Sequence, residues 1–326
     1  MKVVHIYRQA KPGAYSIEGL FGAIGNELRK HIELIEYEVS ERREILTDLR
    51  RLRTFKVDVY HITGDVHYLV PGLPRGKCVL TIHDIGNYLF SRNGARRRLY
   101  KWFWLVFPIR FAGAVTAISN ETRENICKHL RIPWNKIEVI PNCYNPIFQY
   151  IPKDYRSENP TILQVGTNPH KNVPRLAQAL KGIKCKLVLI GHVDSSLREI
   201  LQKNSVQYEN HENLSHEEVF EKYVDSDIVT FVSTSEGFGL PIIEAFATGR
   251  PLITSNASPM SEVASDGACL VNSSDISDIR KGILRVMSDQ TYREALVGKG
   301  LNRARCFSAA EAARRYLDVY RRLSKQ

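Results

Sequence analysis

The chain has 326 residues, of which 43% are hydrophobic and 25% are charged. This length suits two domains of ~150 residues, and the composition excludes a disordered, a collagen-like or a polytopic membrane protein. Lys and Arg number 46 against 35 Asp and Glu, and the formal net charge of +11 favours anionic partners such as nucleic acid, an acidic membrane surface or a phosphorylated substrate.

Six cysteines are scattered singly, with no Cys-x-x-Cys pair and no histidine cluster at zinc-binding spacing. Dispersed thiols in a chain of this length predict reduced residues in the cytoplasm. The first residues form a short apolar run before Arg8 and lack the hydrophobic region and the small-residue cleavage site of a signal peptide. We therefore expect a cytoplasmic protein.

The first half of the chain alternates between short apolar runs and helical periodicity. In chain order it predicts a strand at 3–7, a helix at 16–29, a strand at 31–39, a helix at 41–53 and strands at 57–62, 78–82 and 114–118. Strands of about five apolar residues separated by helices are typical of a parallel sheet with crossover helices.

A proline-rich stretch interrupts this alternation between residues 140 and 160. The pattern then restarts with strands at 161–165, 186–190, 228–231, 252–254 and 269–271. We predict an α/β protein with two doubly wound halves. The predicted domains are an N-terminal domain at 1–150, a C-terminal domain at 151–306, and a last helix at 307–326 that packs back on the N-terminal domain.

The loop after the strand at 228–231 carries the densest group of candidate residues, among them Glu236, Gly239, Pro241 and Glu244. Glycine lets the backbone approach a ligand closely, and Pro241 suits the first turn of a helix, whose N-terminus attracts anions. Each carboxylate can then contact one end of a ligand whose phosphates rest on that N-terminus. The simpler interpretation is one carboxylate that complements the helix dipole and one that is solvated.

Residues 235–256 read SEGFGLPIIEAFATGRPLITSN and resemble the donor-site signature of the family-4 retaining glycosyltransferases. The resemblance implies a GT-B fold, in which two Rossmann-like domains face each other across a cleft. It also implies that Glu244 binds the donor ribose hydroxyls and that Glu236 contacts the transferred sugar. The implied contacts to the sugar and the diphosphate come from the backbone of Phe238, Gly239 and Leu240.

The loop after the strand at 161–165 resembles the diphosphate-binding loop of the same family. Gly166 is followed by His170, Lys171 and Asn172, where the family has Gly-x-x-x-Arg-Lys-Asn. A lysine is a suitable point charge for a diphosphate, and the resemblance implies that this loop binds one. Histidine stands in place of the arginine, so the second positive charge is present only when His170 is protonated.

Two candidate residues lie in the first half. His83 follows the strand at 78–82, where a single histidine is otherwise a structural hydrogen-bonding residue. The resemblance implies that His83 faces the donor sugar and hydrogen-bonds to a sugar hydroxyl without transferring a proton. The loop at 9–18 takes the place of the family's double-glycine loop, and its remaining glycine, Gly13, is the implied donor-binding residue.

Residues 92–110, which run from Arg92 to Arg110, combine a basic cluster with an aromatic one and read RNGARRRLYKWFWLVFPIR. The uninterrupted apolar part is far shorter than the ~20 residues that span a bilayer. Such a segment suits an interfacial helix on an anionic membrane surface. The alternative is a crossover helix with a buried aromatic face and a solvated basic face. Nucleic-acid binding is not expected, because no recognised binding module accompanies the basic residues.

The resemblance implies a retaining, metal-independent glycosyltransferase that needs no cofactor besides its nucleotide-sugar donor, with GDP-mannose as a candidate. The predicted catalytic residues are His83, Lys171 and Glu236. The predicted acceptor is a saccharide or lipid-linked saccharide in O-antigen, capsule or exopolysaccharide assembly, and the enzyme is expected to be cytoplasmic or peripheral on the inner face of the plasma membrane. Two alternatives stay open: a nucleotide-sugar epimerase on the same fold, and a non-enzymatic basic protein that binds membrane or nucleic acid.

Overall fold

The computed structural model describes residues 1–9, 16–40, 44–89 and 94–325. The chain divides into two compact units, Met1–Cys143 together with Ala309–Gln326, and Tyr144–Ser308. The sequence-based divisions lie at 150 and 306. The predicted donor-binding residue Gly13 lies outside the described residues, as do Arg92 and Asn93 of the basic segment.

Each unit is built on one parallel sheet. The first sheet has the strand order β2-β1-β3-β4-β5-β6 and the second has the order β12-β11-β10-β7-β8-β9. The strands are β1 (Lys2–Tyr7), β2 (Glu33–Glu38), β3 (Val59–Ile62), β4 (Cys78–Ile82), β5 (Ala114–Ala117), β6 (Ile137–Val139), β7 (Thr161–Val165), β8 (Lys186–Ile190), β9 (Tyr208–His211), β10 (Ile228–Phe231), β11 (Leu252–Ser255) and β12 (Cys269–Val271).

Helices connect most of the successive strands. They are α1 (Ser16–Leu28), α2 (Ile45–Thr54), α3 (Gly86–Leu89), α4 (Ala95–Tyr100), α5 (Phe107–Phe111), α6 (Asn120–Leu130), α7 (Val173–Leu180), α8 (Ser195–Lys203), α9 (His216–Asp225), α10 (Leu240–Thr248), α11 (Met260–Ala264), α12 (Ile276–Ser288), α13 (Gln290–Ala304) and α14 (Ala309–Ser324). This arrangement confirms the predicted α/β fold with two doubly wound halves.

The central strands consist mainly of apolar residues because both faces of each sheet are covered. Every residue of β3, β4, β10 and β11 is buried. A strand of this kind reads in the sequence as a continuous apolar run, whereas a strand with one wet face alternates.

The last helix, α14, belongs to the first unit. Its apolar face, which includes Tyr316, Leu317 and Tyr320, packs in one buried cluster with Phe21 of α1 and Val3 of β1. Residues from the two ends of this unit's sequence therefore share one core.

A buried hydrogen-bond network attaches α14 to the sheet. The Tyr320 hydroxyl lies 2.9 Å from His5 Nε2 and 2.6 Å from His61 Nδ1, and His61 Nε2 lies 2.7 Å from Thr81 Oγ1. Burial lowers the pKa of His5 to about 3 and the pKa of His61 well below its usual value. Both rings are therefore neutral, and the Tyr320 hydroxyl is hydrogen-bonded to both histidines.

The segment after α4 departs from regular α-helix. Residues Lys101–Val106 form a π-helix, in which the Phe107 N–H donates to the Trp102 carbonyl five residues earlier. The Trp104 side chain turns inward and its Nε1–H donates to Asp65 Oδ1 at 2.6 Å. The rings of Trp102, Phe103, Phe107 and Phe111 are exposed, so the alternative of a buried aromatic face does not hold for them. In the described part of the chain, no helix has both the length and the apolarity needed to cross a membrane.

We expect Tyr320→Phe to lower the free energy of unfolding by about 1–3 kcal/mol, because the substitution leaves two buried histidines without their hydroxyl partner. Urea denaturation followed by circular dichroism measures the change. Tyr150→Phe is the matched control, since that side chain is 50% exposed. Its effect should stay within about 0.5 kcal/mol. Equal losses in the two variants would contradict the role given to the network.

Candidate functional site

The strand order of the second sheet marks where a ligand can enter. Counted from β7, the order is 3-2-1-4-5-6, so the chain direction across the sheet reverses between β7 and β10. The loops that follow these two strands run to opposite sides and leave a crevice at the carboxyl edge. Both loops that the sequence analysis selected, at 166–172 and 233–239, follow these two strands.

The loop after β7 places a lysine side chain directly over a glycine. Gly166 has a φ of +88°, and a Cβ built there would lie 2.8 Å from Lys171 Cε. Only glycine combines this left-handed backbone with so close an approach. Gly166 therefore determines the path of the Lys171 side chain toward the crevice.

Asn172 attaches this loop to its neighbours. Its Nδ2 donates to the Val232 carbonyl at 3.0 Å and to the Ser273 carbonyl at 2.7 Å, and its Oδ1 accepts a bond from Arg175. The residue is buried and has a φ of 62°. The side-chain amide of Asn172 is thus hydrogen-bonded to protein groups on both its nitrogen and its oxygen.

Lys171 and Glu236 meet in the crevice. Lys171 Nζ lies 2.7 Å from Glu236 Oε1, and the ammonium also lies 4.6 Å from the centroid of the Phe231 ring. His170 Nε2 is 3.9 Å from the same carboxylate oxygen. The Thr234 N–H donates to the His170 carbonyl at 2.8 Å, which joins the two loops through the backbone. Three predicted site residues therefore form one charged cluster.

The N-terminus of α10 lies beside this cluster. Gly239 precedes the helix with a φ of +107°, and a Cβ there would lie 3.3 Å from the Phe231 ring that Lys171 covers. Pro241 occupies the first turn, and Phe238 is buried against the Phe307 ring. Pro241 has no N–H, and the Ile242 N–H donates to the Gly239 carbonyl at 3.0 Å, so an anion can be bound here by the Leu240 N–H and the helix dipole. Leu240 is the first residue of this helix.

Glu244 lies in the second turn of α10. Its Oε2 accepts a hydrogen bond of 2.7 Å from the hydroxyl of Tyr223, a fully buried side chain of α9. Burial raises the pKa of Glu244 to about 7, although the Tyr223 hydrogen bond and the Lys171 charge act in the opposite direction. This carboxyl group therefore changes charge near neutral pH. Two such acceptor oxygens suit a pair of adjacent ligand hydroxyls.

His83 lies in the first unit, at the carboxyl end of β4. Its Nε2 is 2.8 Å from the Thr63 carbonyl, which can only accept, so Nε2 carries the proton. Burial lowers the pKa of His83, although the Thr63 hydrogen bond opposes that change. The ring is therefore neutral near pH 7, and its Nδ1 lone pair can accept a hydrogen bond from a ligand hydroxyl.

Sequence reasoning missed Tyr223 and Phe231. Tyr223 has the spacing of an ordinary core residue of α9, and its bond to Glu244 joins residues 21 positions apart. Phe231 reads as the last residue of a buried strand, and nothing in its neighbourhood predicts the lysine over its ring. In the described ranges, no three His, Cys, Asp or Glu side chains are placed to hold a metal ion together.

Two family models match the chain. The model described as "Glycosyl transferases group 1" matches residues 151–303, and the model described as "Glycosyltransferase Family 4" matches residues 27–147. The first match contains both loops of the crevice, and the second contains His83.

Curated relatives and a solved structure agree with these matches. O-antigen chain mannosyltransferase B of Escherichia coli is 25% identical over 296 residues, covering 83% of this chain and 76% of that protein. O-antigen chain mannosyltransferase RfbU of Salmonella typhimurium strain LT2 is 28% identical over 219 residues, covering 64% of this chain and 60% of that protein. The crystal structure of Anabaena HepE in complex with UDP and glucose has a TM-score of 0.77 at 14% identity, covering 98% of this chain and 99% of HepE.

The structural similarity to HepE supports the fold alone, because the two sequences are only 14% identical. The two family models add the assignment, since between them they account for most of both sheets. The chain belongs to the family-4 glycosyltransferases and has their GT-B fold.

Proposed function

We propose that the protein transfers a sugar, with retention of its anomeric configuration, from a nucleotide diphosphate sugar to a hydroxyl of a saccharide or lipid-linked saccharide. The observation that carries the proposal is the Lys171–Glu236 pair at the N-terminus of α10. It combines a cation and a helix N-terminus for a diphosphate with a carboxylate for a sugar. Both lie at the point of the sheet where ligands bind in open α/β folds.

The leaving group is the part of the donor that this site suits best. When the bond between the sugar C1 and the diphosphate oxygen breaks, negative charge develops on that oxygen. Lys171, the Leu240 N–H and the dipole of α10 stabilise this charge in the transition state, and such stabilisation is often the largest contribution to catalysis. His170 adds a second positive charge when it is protonated. Asn172 keeps Lys171 in position through its hydrogen bonds to backbone carbonyls.

The remaining site residues orient the donor. Glu244 accepts hydrogen bonds from the ribose hydroxyls, Glu236 binds the transferred sugar, and Phe238, Gly239 and Leu240 contribute their backbone. His83 accepts a hydrogen bond from a sugar hydroxyl through Nδ1. The acceptor oxygen attacks C1 from the face that the diphosphate leaves, and its proton passes to the leaving phosphate oxygen. No protein nucleophile, catalytic metal or further cofactor is part of this proposal.

The names of the relatives guide the choice of sugar and acceptor. Two of them are O-antigen chain mannosyltransferases, which supports mannose as the sugar, GDP-mannose as the donor and O-antigen assembly as the process. HepE was crystallised with UDP and glucose, so the fold also accommodates another base and sugar. Calorimetric titration with GDP-mannose, UDP-glucose, a dTDP-sugar and a CMP-sugar tests the choice. Binding of none of the four, with or without membrane lipid extract as a source of acceptor, would contradict the proposed function.

A peripheral position on an anionic membrane surface, at the inner face of the plasma membrane, is the second part of the proposal. The exposed rings of Trp102, Phe103 and Phe111 lie around the exposed Phe107 ring, with centroids 5.7, 5.8 and 6.5 Å from the Phe107 centroid. We call these four residues the aromatic stripe. Basic residues flank it, and such a combination suits insertion at the level of anionic lipid headgroups. A lipid-linked acceptor would then lie in the same surface.

We expect Lys171→Ala to reduce kcat by about 10²–10³-fold, because the developing charge loses its cation. The rate is measured as release of nucleoside diphosphate in the presence of lipid extract. Lys181→Ala, at an exposed position just after α7, is the control and should retain the wild-type rate. Unchanged turnover in Lys171→Ala would refute the assignment of the diphosphate.

We expect donor affinity to rise with pH as Glu244 ionises near pH 7, because the carboxylate accepts the ribose hydrogen bonds better than the acid. Glu244→Gln should weaken binding by about tenfold and remove the rise. Calorimetry with a nucleotide sugar measures both effects, since its diphosphate does not titrate in this range.

The ionisation of Glu244 also changes the free energy of unfolding with pH, and this change can be measured without the donor. The pKa of Glu244 in the folded state, about 7, exceeds the ordinary value of 4.5, so the folded protein binds the proton more tightly. The stabilisation is complete below the lower pKa and is lost as the pH rises to the higher one. Glu244→Gln should lack this decline. An identical pH dependence in both proteins would count against the assigned ionisation.

We expect the double substitution Phe103→Ser and Phe107→Ser to weaken binding to vesicles rich in phosphatidylglycerol by at least about tenfold, because two apolar rings no longer leave water. Sedimentation of the protein with the vesicles measures the bound fraction. Leu46→Ser is the control, since Leu46 is 71% exposed on α2 of the same unit. Equal binding by all three proteins would remove the membrane part of the proposal.

A further inference from the structure

A cavity of about 380 Å³ opens in the first unit beside the end of the aromatic stripe. It lies between the last turn of α5 and the segment that joins α6 to β6. Ile109, Ile132 and Pro133 give it an apolar lining, and Arg110, Arg131 and Lys136 give it three cationic groups. All its lining residues lie between 109 and 136, so the cavity belongs to the N-terminal unit alone.

The charged side chains that line this cavity are all cationic. Asn135 is its only other lining residue in the described chain, and no carboxylate lines it. Lys136 Nζ donates to the Ala112 carbonyl at 2.9 Å, and the Arg110 guanidinium lies 5.9 Å from the centroid of the Trp102 ring. The cations are thus positioned by a backbone carbonyl and an aromatic ring. An anion in the cavity would meet no opposing negative side chain.

Arg131 occupies a backbone conformation that favours glycine. It ends α6 with a φ of 58° and a ψ of 43°, and its N–H donates to the Cys127 carbonyl. This left-handed position after a helix is usually filled by glycine or asparagine, because a Cβ is strained there. A cation at the C-terminal end of a helix is favoured by the helix dipole, and the exposed guanidinium of Arg131 also lines the cavity.

The cavity is continuous with the aromatic stripe. Ile109 and Arg110 line the cavity and belong to α5, the helix that also carries Phe107 and Phe111 of the stripe. On the other side, the exposed Trp134 lies under the Arg123 guanidinium, 3.9 Å from its ring centroid. A ligand with an anionic head and an apolar tail would find both parts matched within this surface.

We propose that this cavity binds one molecule of an anionic phospholipid from the membrane. The phosphate contacts Arg110, Arg131 and Lys136, and the first carbons of the acyl chains lie against Ile109, Ile132 and Pro133. A free phosphate would leave the exposed Pro133 ring in water, and a neutral lipid would leave the three cations without an anion. The inference rests on the proposed membrane position and deepens it, since it assigns one lipid site to the first unit, whereas the crevice belongs to the second unit.

Dihexanoyl phosphatidylglycerol, kept below its critical micelle concentration, tests the proposal by calorimetric titration into the full-length protein. We expect saturable binding with one lipid per chain. Dihexanoyl phosphatidylcholine and inorganic phosphate should bind at least about tenfold more weakly. If inorganic phosphate binds as tightly as the lipid, the cavity is a simple anion site and the proposed lipid site is refuted. Equal affinities for the anionic and the zwitterionic lipid would refute the role given to the three cations of the cavity.

The substitution Arg131→Gly separates an effect on lipid binding from an effect on folding. Glycine adopts the left-handed conformation freely, so the thermal unfolding midpoint should stay the same or rise. Lipid affinity should fall by about tenfold, because one charge-assisted contact is lost. Arg50→Gln removes one charge from an exposed position of α2 and should leave lipid affinity unchanged.

Three further results would overturn the proposal: no saturable binding, full lipid affinity in Arg131→Gly, or equal losses in Arg131→Gly and Arg50→Gln. The titration also keeps this inference apart from the proposed sugar transfer. Arg131→Gly should bind the nucleotide sugar as the wild type does, because Arg131 and the crevice belong to different units.

Discussion

One buried amide keeps the crevice of the second unit in shape. Asn172 joins the loop after β7 to the carbonyl that follows β10 and to the carbonyl of Ser273, which follows β12. The Thr234 N–H bond to the His170 carbonyl adds a second connection between the loops after β7 and β10, at the point where the chain direction across the sheet reverses. Because Lys171 immediately precedes this amide, its direction depends on two hydrogen bonds made by the residue beside it. The position of the Lys171 ammonium thus depends on hydrogen bonds to backbone carbonyls as well as on its ion pair with Glu236.

Under the proposed function, the ion pair in the crevice makes donor binding an exchange of partners for Lys171 and Glu236. Lys171 is satisfied by Glu236 and by the face of Phe231 before any donor arrives. A diphosphate that takes the ammonium frees the carboxylate, which can then accept hydrogen bonds from sugar hydroxyls. Under the proposed function, the two contacts are coupled, and an anion without a sugar would leave Glu236 half-buried and without a hydrogen-bond partner. The site thereby favours a complete nucleotide sugar over a bare anion.

The sequence could predict what depends on local patterns. The strand at 78–82 has the same bounds in the structure, because a run buried on both faces leaves a continuous apolar signal. Gly239 and Pro241 likewise marked the start of α10. Contacts between distant residues left no such signal: the Tyr223 hydroxyl on Glu244 and the carbonyl partners of Asn172 depend on how α9, β10 and β12 pack. The raised pKa of Glu244 follows from that packing and could not be predicted.

The π-helix at Lys101–Val106 fixes which side of the following helix faces water. Its wide turn accommodates one residue more than an α-helix would, and each residue of an α-helix is rotated by about 100° from the next. Loss of a single residue here would restore the α-helical phase and rotate Phe107 and Phe111 by that angle relative to the preceding helix. The buried Ile109 would then leave its place in the core. In evolutionary terms, a one-codon deletion in this helix could erase the aromatic stripe while leaving every aromatic residue in the sequence.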